Sequence, residues 1–199
     1  MANVSSCKTP TTPGSLDWCS GQLTSPGIRL RVYYIPKRDI MKWPVLPAFD
    51  SADPTKLAIF TGNFVLAAEA KWKFIRIDQK KSQVVSDPQG EPPFSNFLDK
   101  GTFVHPGTAS AAAAFARQAA NDDYVYIFEQ IDGKHRVIGN EAYETATKVS
   151  TNLGQVGGTE KGSTIEASCP SECPLPFYEG EIETEEGTIN PDSNPPAGN

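Results

Sequence analysis

Four cysteines and two histidines are the residues of this chain best suited to chemistry, and their spacing decides what they can do. Cys7 and Cys19, in "CKTPTTPGSLDWC", are separated by eleven residues, and Cys169 and Cys173, in "CPSEC", by three. Four thiolates can hold zinc, but structural zinc sites favour tight cysteine pairs on both sides. Pro170 and Pro174 also stiffen the second loop away from a metal knuckle. No metal or other cofactor is therefore expected. Two options remain. One is free thiols, the rule in a reducing cytosol. The other is disulfides among Cys7, Cys19, Cys169 and Cys173, for which three pairings exist.

His105, in "VHPG", precedes a proline and is expected to shape a turn. His135, in "GKHRV", is expected to face solvent from a hairpin. A thiol–imidazole hydrolase needs cysteine, histidine and an orienting third group brought together, and the G-x-S-x-G nucleophile elbow is absent. The stretches "GQVGG" and "GTEKG" lack the lysine, the Ser/Thr and the helix that a phosphate loop requires. Carboxylates cluster at Glu179, Glu181, Glu183, Glu185 and Glu186. The first three alternate along an expected strand, which predicts an acidic stripe on one face rather than a calcium cage. No pattern supports catalysis, and the chain is not expected to be an enzyme.

The elements that would carry these residues are mostly strands. "GIRLRVYYI" alternates, with Ile28, Leu30, Val32 and Tyr34 on one face and Arg29, Arg31 and Tyr33 on the other, which predicts a half-buried strand. The following stretch, 36–56, has no clean period. Long irregular loops in compact domains commonly make contacts, and Trp43, Leu46 and Phe49, set between prolines, read as anchors to a neighbouring surface. "LAIFTGNFVLAAEAKWKFIRID" supplies strands around Gly62. "ASAAAAFARQAAN" is the one clear helix, at about 109–120, with Thr108 or Ser110 as its cap. Its Ala111, Ala112, Phe115 and Ala119 make a narrow apolar stripe for close packing on a sheet or on another chain. "YVYIFEQIDGKHRVIGN" is a hairpin turning at Asp132-Gly133.

Of 199 residues 38% are hydrophobic, 16 are glycine and 17 are proline, and the aromatic and β-branched residues lie mostly between Gly27 and Gly180. This predicts an extended arm at 1–26, a β domain at 27–183 and a Pro/Gly-rich acidic tail at 184–199. The expected class is mostly β or α+β: a β-sandwich or partial barrel with one flanking helix. The net charge of −6 argues against a general nucleic-acid binder held by phosphate neutralisation. The first residues show neither a charged n-region nor an apolar h-region, so no signal peptide is expected, and no apolar run is long enough to predict a membrane span.

The stretch "SDPQGEPPFSNFLDKGTFVHPGTASAAAAFARQAANDDYVYIFEQIDGKHRVIGNEAYETA", followed by a Gly-rich segment and "STIEASCPSECPLPFYEGEI", resembles virion proteins of tailed phages infecting Bacteroidetes, and through them the tail tube family. The resemblance covers residues 28–183 and is topological rather than catalytic. It implies a sandwich or partial barrel with a flanking helix, six copies of which close into a ring with a continuous inner β-barrel. Rings then stack into a hollow virion tube, assembled in the host cytoplasm. Viral DNA passes through without specific binding, and the tape measure, terminator and baseplate proteins are the implied partners. Arms and loops would clasp the next ring, giving Trp43, Leu46, Phe49 and Phe115 inter-subunit roles. The stripe Glu179, Glu181 and Glu183 would line the passage and repel phosphate. Within the same class the alternatives are a tail terminator, a connector or a capsid decoration protein. From a different class comes a β-rich carbohydrate- or surface-binding module using Trp18, Trp43 and Trp72 as stacking platforms.

Overall fold

A computed structural model describes residues 10–158 and 160–190 of the chain. Two large sheets, one mixed and one antiparallel, face each other across an apolar core, and a second core lies on the far side of the larger sheet. The larger sheet takes strands β1 (Ile28–Pro36), β3 (Ile59–Phe60), β5 (Lys73–Arg76), β8 (Tyr124–Gln130), β9 (His135–Ile138) and β12 (Phe177–Tyr178), in the order β3-β12-β9-β8-β1-β5. All its pairings are antiparallel except β12 with β3. The smaller sheet has the order β10-β11-β7-β6, from β6 (Gln83–Gln89), β7 (Asn96–His105), β10 (Ala146–Asn152) and β11 (Gly162–Ser171). Two short ribbons, β2 (Ile40–Lys42) with β4 (Val65–Leu66) and β13 (Ile182–Thr184) with β14 (Gly187–Ile189), complete the strands. The fold is β-rich with one flanking helix, in an open sandwich rather than a closed barrel.

The sequence explains why the larger sheet sits in the middle. In β8, Tyr124, Tyr126 and Phe128 point to one face and Val125 and Ile127 to the other, and all five are buried. A strand apolar on both faces must be covered on both. One face meets Phe103, Ile165, Ala167 and Cys169 of the smaller sheet. The opposite face gathers Tyr33, Ile35, Phe60, Phe64, Trp72, Tyr178 and Ile182 under the two ribbons. Each fully buried large side chain in such a core contributes about 1.5–3 kcal/mol.

The same double burial corrects the half-buried strand expected at 28–36. Val32, Tyr33 and Ile35 are all buried, whereas Leu30 is exposed. The register against β8 slips between Ile28 and Val32, so the simple alternation fails there. The hairpin at Asp132-Gly133 forms as expected: Gly133 takes φ +90°, its N–H donates to Gln130 O (3.0 Å), and Asp132 Oδ1 accepts from Lys134 N (3.1 Å). Helix α1 spans Ser110–Ala119. Ala109 occupies its N-cap with no side-chain bond, so neither Thr108 nor Ser110 caps it. Phe115 and Ala119 turn inward, with Phe115 edge-on to Tyr34 (5.0 Å between centroids), while Ala111 is exposed.

The expected tail begins later than residue 184. Residues 182–189 fold back as the β13–β14 hairpin, with Ile182 and Ile189 packed into the second core and Trp72 N donating to Glu183 O (2.9 Å). The chain itself holds this segment, with no second copy needed; residues 191–199 lie outside the described residues. Residues 10–26 of the N-terminal arm form no strand or helix, and Thr11 N donates to Phe49 O (2.8 Å), tying the arm to the 36–56 loop.

Candidate functional site

The side chains with chemical potential are dispersed and mostly buried. His135 is only 2% exposed, a correction to the solvent-facing position expected of it. It sits in β9 between Glu129 of β8 and Tyr178 of β12, its cross-strand partners. Its Nδ1 has no hydrogen-bond partner, and burial, followed by the nearby Arg29 guanidinium, pushes its pKa down to about 4. It is a neutral core residue at physiological pH. His105 ends β7: its Nδ1 lies 2.7 Å from Arg76 O, tying β7 to β5, and its ring lies against Gly107. The two histidines serve different parts of the scaffold.

Cys19, Cys169 and Cys173 are free thiols, and Cys7 lies outside the described residues. Cys169 is fully buried in the core between the sheets, where desolvation raises its pKa. Burial, then the Asp99 carboxylate, pushes the Cys173 thiol up to about 11. A thiol so disfavoured as thiolate is a poor nucleophile and metal ligand. Among the described residues, no group of three or more His, Cys, Asp or Glu side chains is placed to hold a metal ion.

Asp99 is the polar residue that the sequence did not single out. It is buried in β7, where Oδ1 accepts from Ser86 Oγ and from Leu175 N (3.1 Å). Desolvation raises its pKa against the lowering effect of those bonds. It fastens the turn after β11, in which Leu175 takes φ +46° and Arg136 Nη1 donates to Leu175 O (2.8 Å). A lone aspartate inside the apolar alternation of "FLDKGTFV" was the available signal. A polar cleft of about 720 Å3 near the end of α1 is lined by Arg38, Lys71 and Lys73 together with Asp39, Glu69, Asp122 and Glu185. Within it Arg38 bonds Asp122, and Tyr34 and Tyr124 complete the lining.

Of the four expected contact residues, three pack within their own subunit. Trp43 stands edge-on to Phe64 (5.4 Å) and Leu46 joins the same second core, while Phe115 packs between Tyr34 and Tyr124. Phe49 alone remains free, 69% exposed at the tip of the 36–56 loop. Trp72 is buried, which leaves Trp18 as the one exposed tryptophan of the three proposed as stacking platforms. Glu179, Glu181 and Glu183 are exposed and alternate with buried Tyr178, Ile182 and Thr184, although a bend at Gly180 splits the stripe between β12 and β13. Ile182 and Thr184 of β13 are buried, Ile182 in the second core, so Glu181 and Glu183 turn away from that core, and Glu179 lies beyond the bend.

Sheet edges give the clearest asymmetry. Both edges of the larger sheet are short and are met by the chain itself: Val45 pairs with Thr61 beside β3, and Thr184 pairs with Trp72 beside β5. The smaller sheet ends instead in two strands of seven residues, β6 and β10, and among the described residues neither has a partner strand on its outer side. Unpaired edges of that length are templates for pairing with another chain. The outward face of this sheet is balanced in charge and mixes polar residues with Val85, Leu98 and Val104. Lys148 lies directly opposite Glu166, and Lys100 Nζ reaches Asp87 Oδ2 at 2.9 Å, among Gln83, Thr102, Ser150, Thr164 and Ser168. No family model matches the chain, and neither does any curated protein or solved structure.

Proposed function

We propose that the protein is a structural virion subunit of the tail tube kind, which closes into rings by pairing β10 of one copy with β6 of the next. The observation that carries this reading is the contrast in edges: capped and short on the larger sheet, open and seven residues long on the smaller. Four antiparallel strands place β10 and β6 in opposite directions. A neighbour related by rotation about an axis parallel to the strands therefore presents its β6 antiparallel to β10. An even strand count lets the alternation continue around a ring without a break, and closure removes every free edge. A single head-to-tail contact of this type generates a closed ring when the rotation closes.

In such a ring the outward face of the smaller sheet becomes the wall of the passage. In that arrangement Glu181 and Glu183 belong to the outer wall, and the charges lining the passage are balanced. Lys148 with Glu166, and Lys100 with Asp87, neutralise each other on that face. Hydroxyl and amide groups share the face with Val85, Leu98 and Val104. A polyanion such as viral DNA gains little from counterion release on such a wall and can slide along it.

Negative-stain electron microscopy of the purified protein over a concentration series tests the proposal. Hollow rings with sixfold end views are expected. Compact monomers at every concentration would remove it.

A further inference from the structure

The smaller sheet has two ends as well as two edges, and the ends differ. At one end lie the turn 78–82 and the β10–β11 loop, placed together by Asp78 N donating to Val104 O (2.7 Å) and by Lys81 Nζ at 3.0 Å from Glu160 Oε1. The loop exposes Leu153 and Val156, the latter completely. Lys80, Lys81 and Lys161 outnumber Asp78 and Glu160 there. At the other end the β6–β7 turn, closed by Phe94 N donating to Glu91 O (2.8 Å), exposes Phe94 to 84%. Glu91 in that turn and Glu172, just beyond β11, are exposed and have no salt bridge among the described residues. Strand β7 separates the two ends by ten residues, roughly 33 Å.

We infer that the two ends dock on each other in successive copies: the Leu153–Val156 loop with its lysines seats on the Phe94 turn and its glutamates in a second copy of this chain. Apolar side chains this exposed at both tips are unusual for free hairpin turns, which are commonly polar. Each end carries an exposed apolar tip, with lysines in excess at one and the carboxylates Glu91 and Glu172 at the other, so the two are complementary. The contact runs along the strand direction and joins unlike surfaces, so it repeats without closing. Lateral pairing of β10 with β6 uses the edges, and this contact uses the ends, so both can form at once. The inference rests on the ring reading for its geometry and names the axial contact that stacks one ring on the next.

The test uses two full-length variants, Phe94→Asp and Val156→Asp. Both sites are on exposed turns, and unchanged thermal melts check that folding is intact. Each variant, assembled separately, is expected to form rings that fail to stack, with the fraction in stacks reduced about tenfold or more by a charge placed in the apolar contact. Mixing the two sets of rings is expected to give stacks of two and no longer, because each variant keeps one intact end and the intact ends are complementary. Either variant stacking like the parent would overturn the inference, as would a mixture that yields lone rings only. Failure of the ring reading shows separately, as parent protein without sixfold end views. In that case the same variants are compared by sedimentation, where loss of end-to-end parent chains in each single variant supports the contact, and a parent that does not associate overturns it.

Discussion

The two sheets of this protein solve the same problem in opposite ways. The six-stranded sheet is buried on both faces, and its edge strands are only two and four residues long, each with an isolated bridge beside it, at Val45 and at Thr184. The four-stranded sheet buries one face only, leaves β6 and β10 unpaired on their outer sides, and carries mutually paired charges outward. The difference teaches that the two sheets are finished to different degrees. One is covered on both faces and holds the subunit together, and the other ends in two strands with no partner strand on their outer sides among the described residues, which the proposed ring would pair.

Truncating the stabilising sheet should have the largest effect. Trp72→Ala removes a fully buried indole packed edge-on to Phe64 at 5.4 Å, and should cost about 3–5 kcal/mol. A thermal melt should fall by roughly 6–20 °C. A loss under about 1 kcal/mol would show that the second core contributes little.

Proline scanning along β10 separates the two roles. At Ser150 and Thr151, adjacent in β10, one N–H points to β11 and the other to the open edge. The substitution facing β11 should cost about 3 kcal/mol in the monomer. Its neighbour should leave the monomer melt within about 1 kcal/mol of the parent yet abolish ring formation. Equal behaviour of the two variants would contradict an open edge.

Acid should weaken the larger sheet through His135. Its folded pKa, about 4, lies below the ordinary 6.5, so the unfolded chain binds the extra proton between these values. The His135 contribution is complete above pH 6.5 and is lost as the pH falls towards 4, by up to about 3 kcal/mol. Glu129 and Asp99, both raised, act in the opposite sense over their own range. The comparison that isolates the histidine is therefore parent against His135→Leu in denaturant titrations at pH 7 and pH 4.5: the parent should lose stability relative to the variant on acidification. The smallest effect belongs to the polar face of the smaller sheet. Lys100→Ala, which removes the exposed pair with Asp87, should change stability by less than about 0.5 kcal/mol, and a larger loss would mean that this face is structural.

Much of this was legible in the sequence where the signal is local. The Asp132-Gly133 turn fixed the β8–β9 hairpin, and alanine content placed the helix within a residue or so at either end. What depends on layering was not. Alternation in β1 describes one covered face, and here two cores cover both. His135 looked like a hairpin residue at the surface because nothing in the sequence says that β12 lies beside β9. Trp43 and Leu46 read as anchors for a partner, and the second core takes both, because the ribbons that build it come from distant segments. Which strands become edges is likewise a property of the assembled sheet order, so β6 and β10 gave no advance sign of being open.

Amide hydrogen exchange, read by mass spectrometry on dissociated and assembled protein, tests the central claim most directly. The account predicts new protection on assembly in 83–89 and 146–152, with the strands of the six-stranded sheet unchanged. Protection gained instead at β3 or β5, with β6 and β10 exchanging as before, would contradict it.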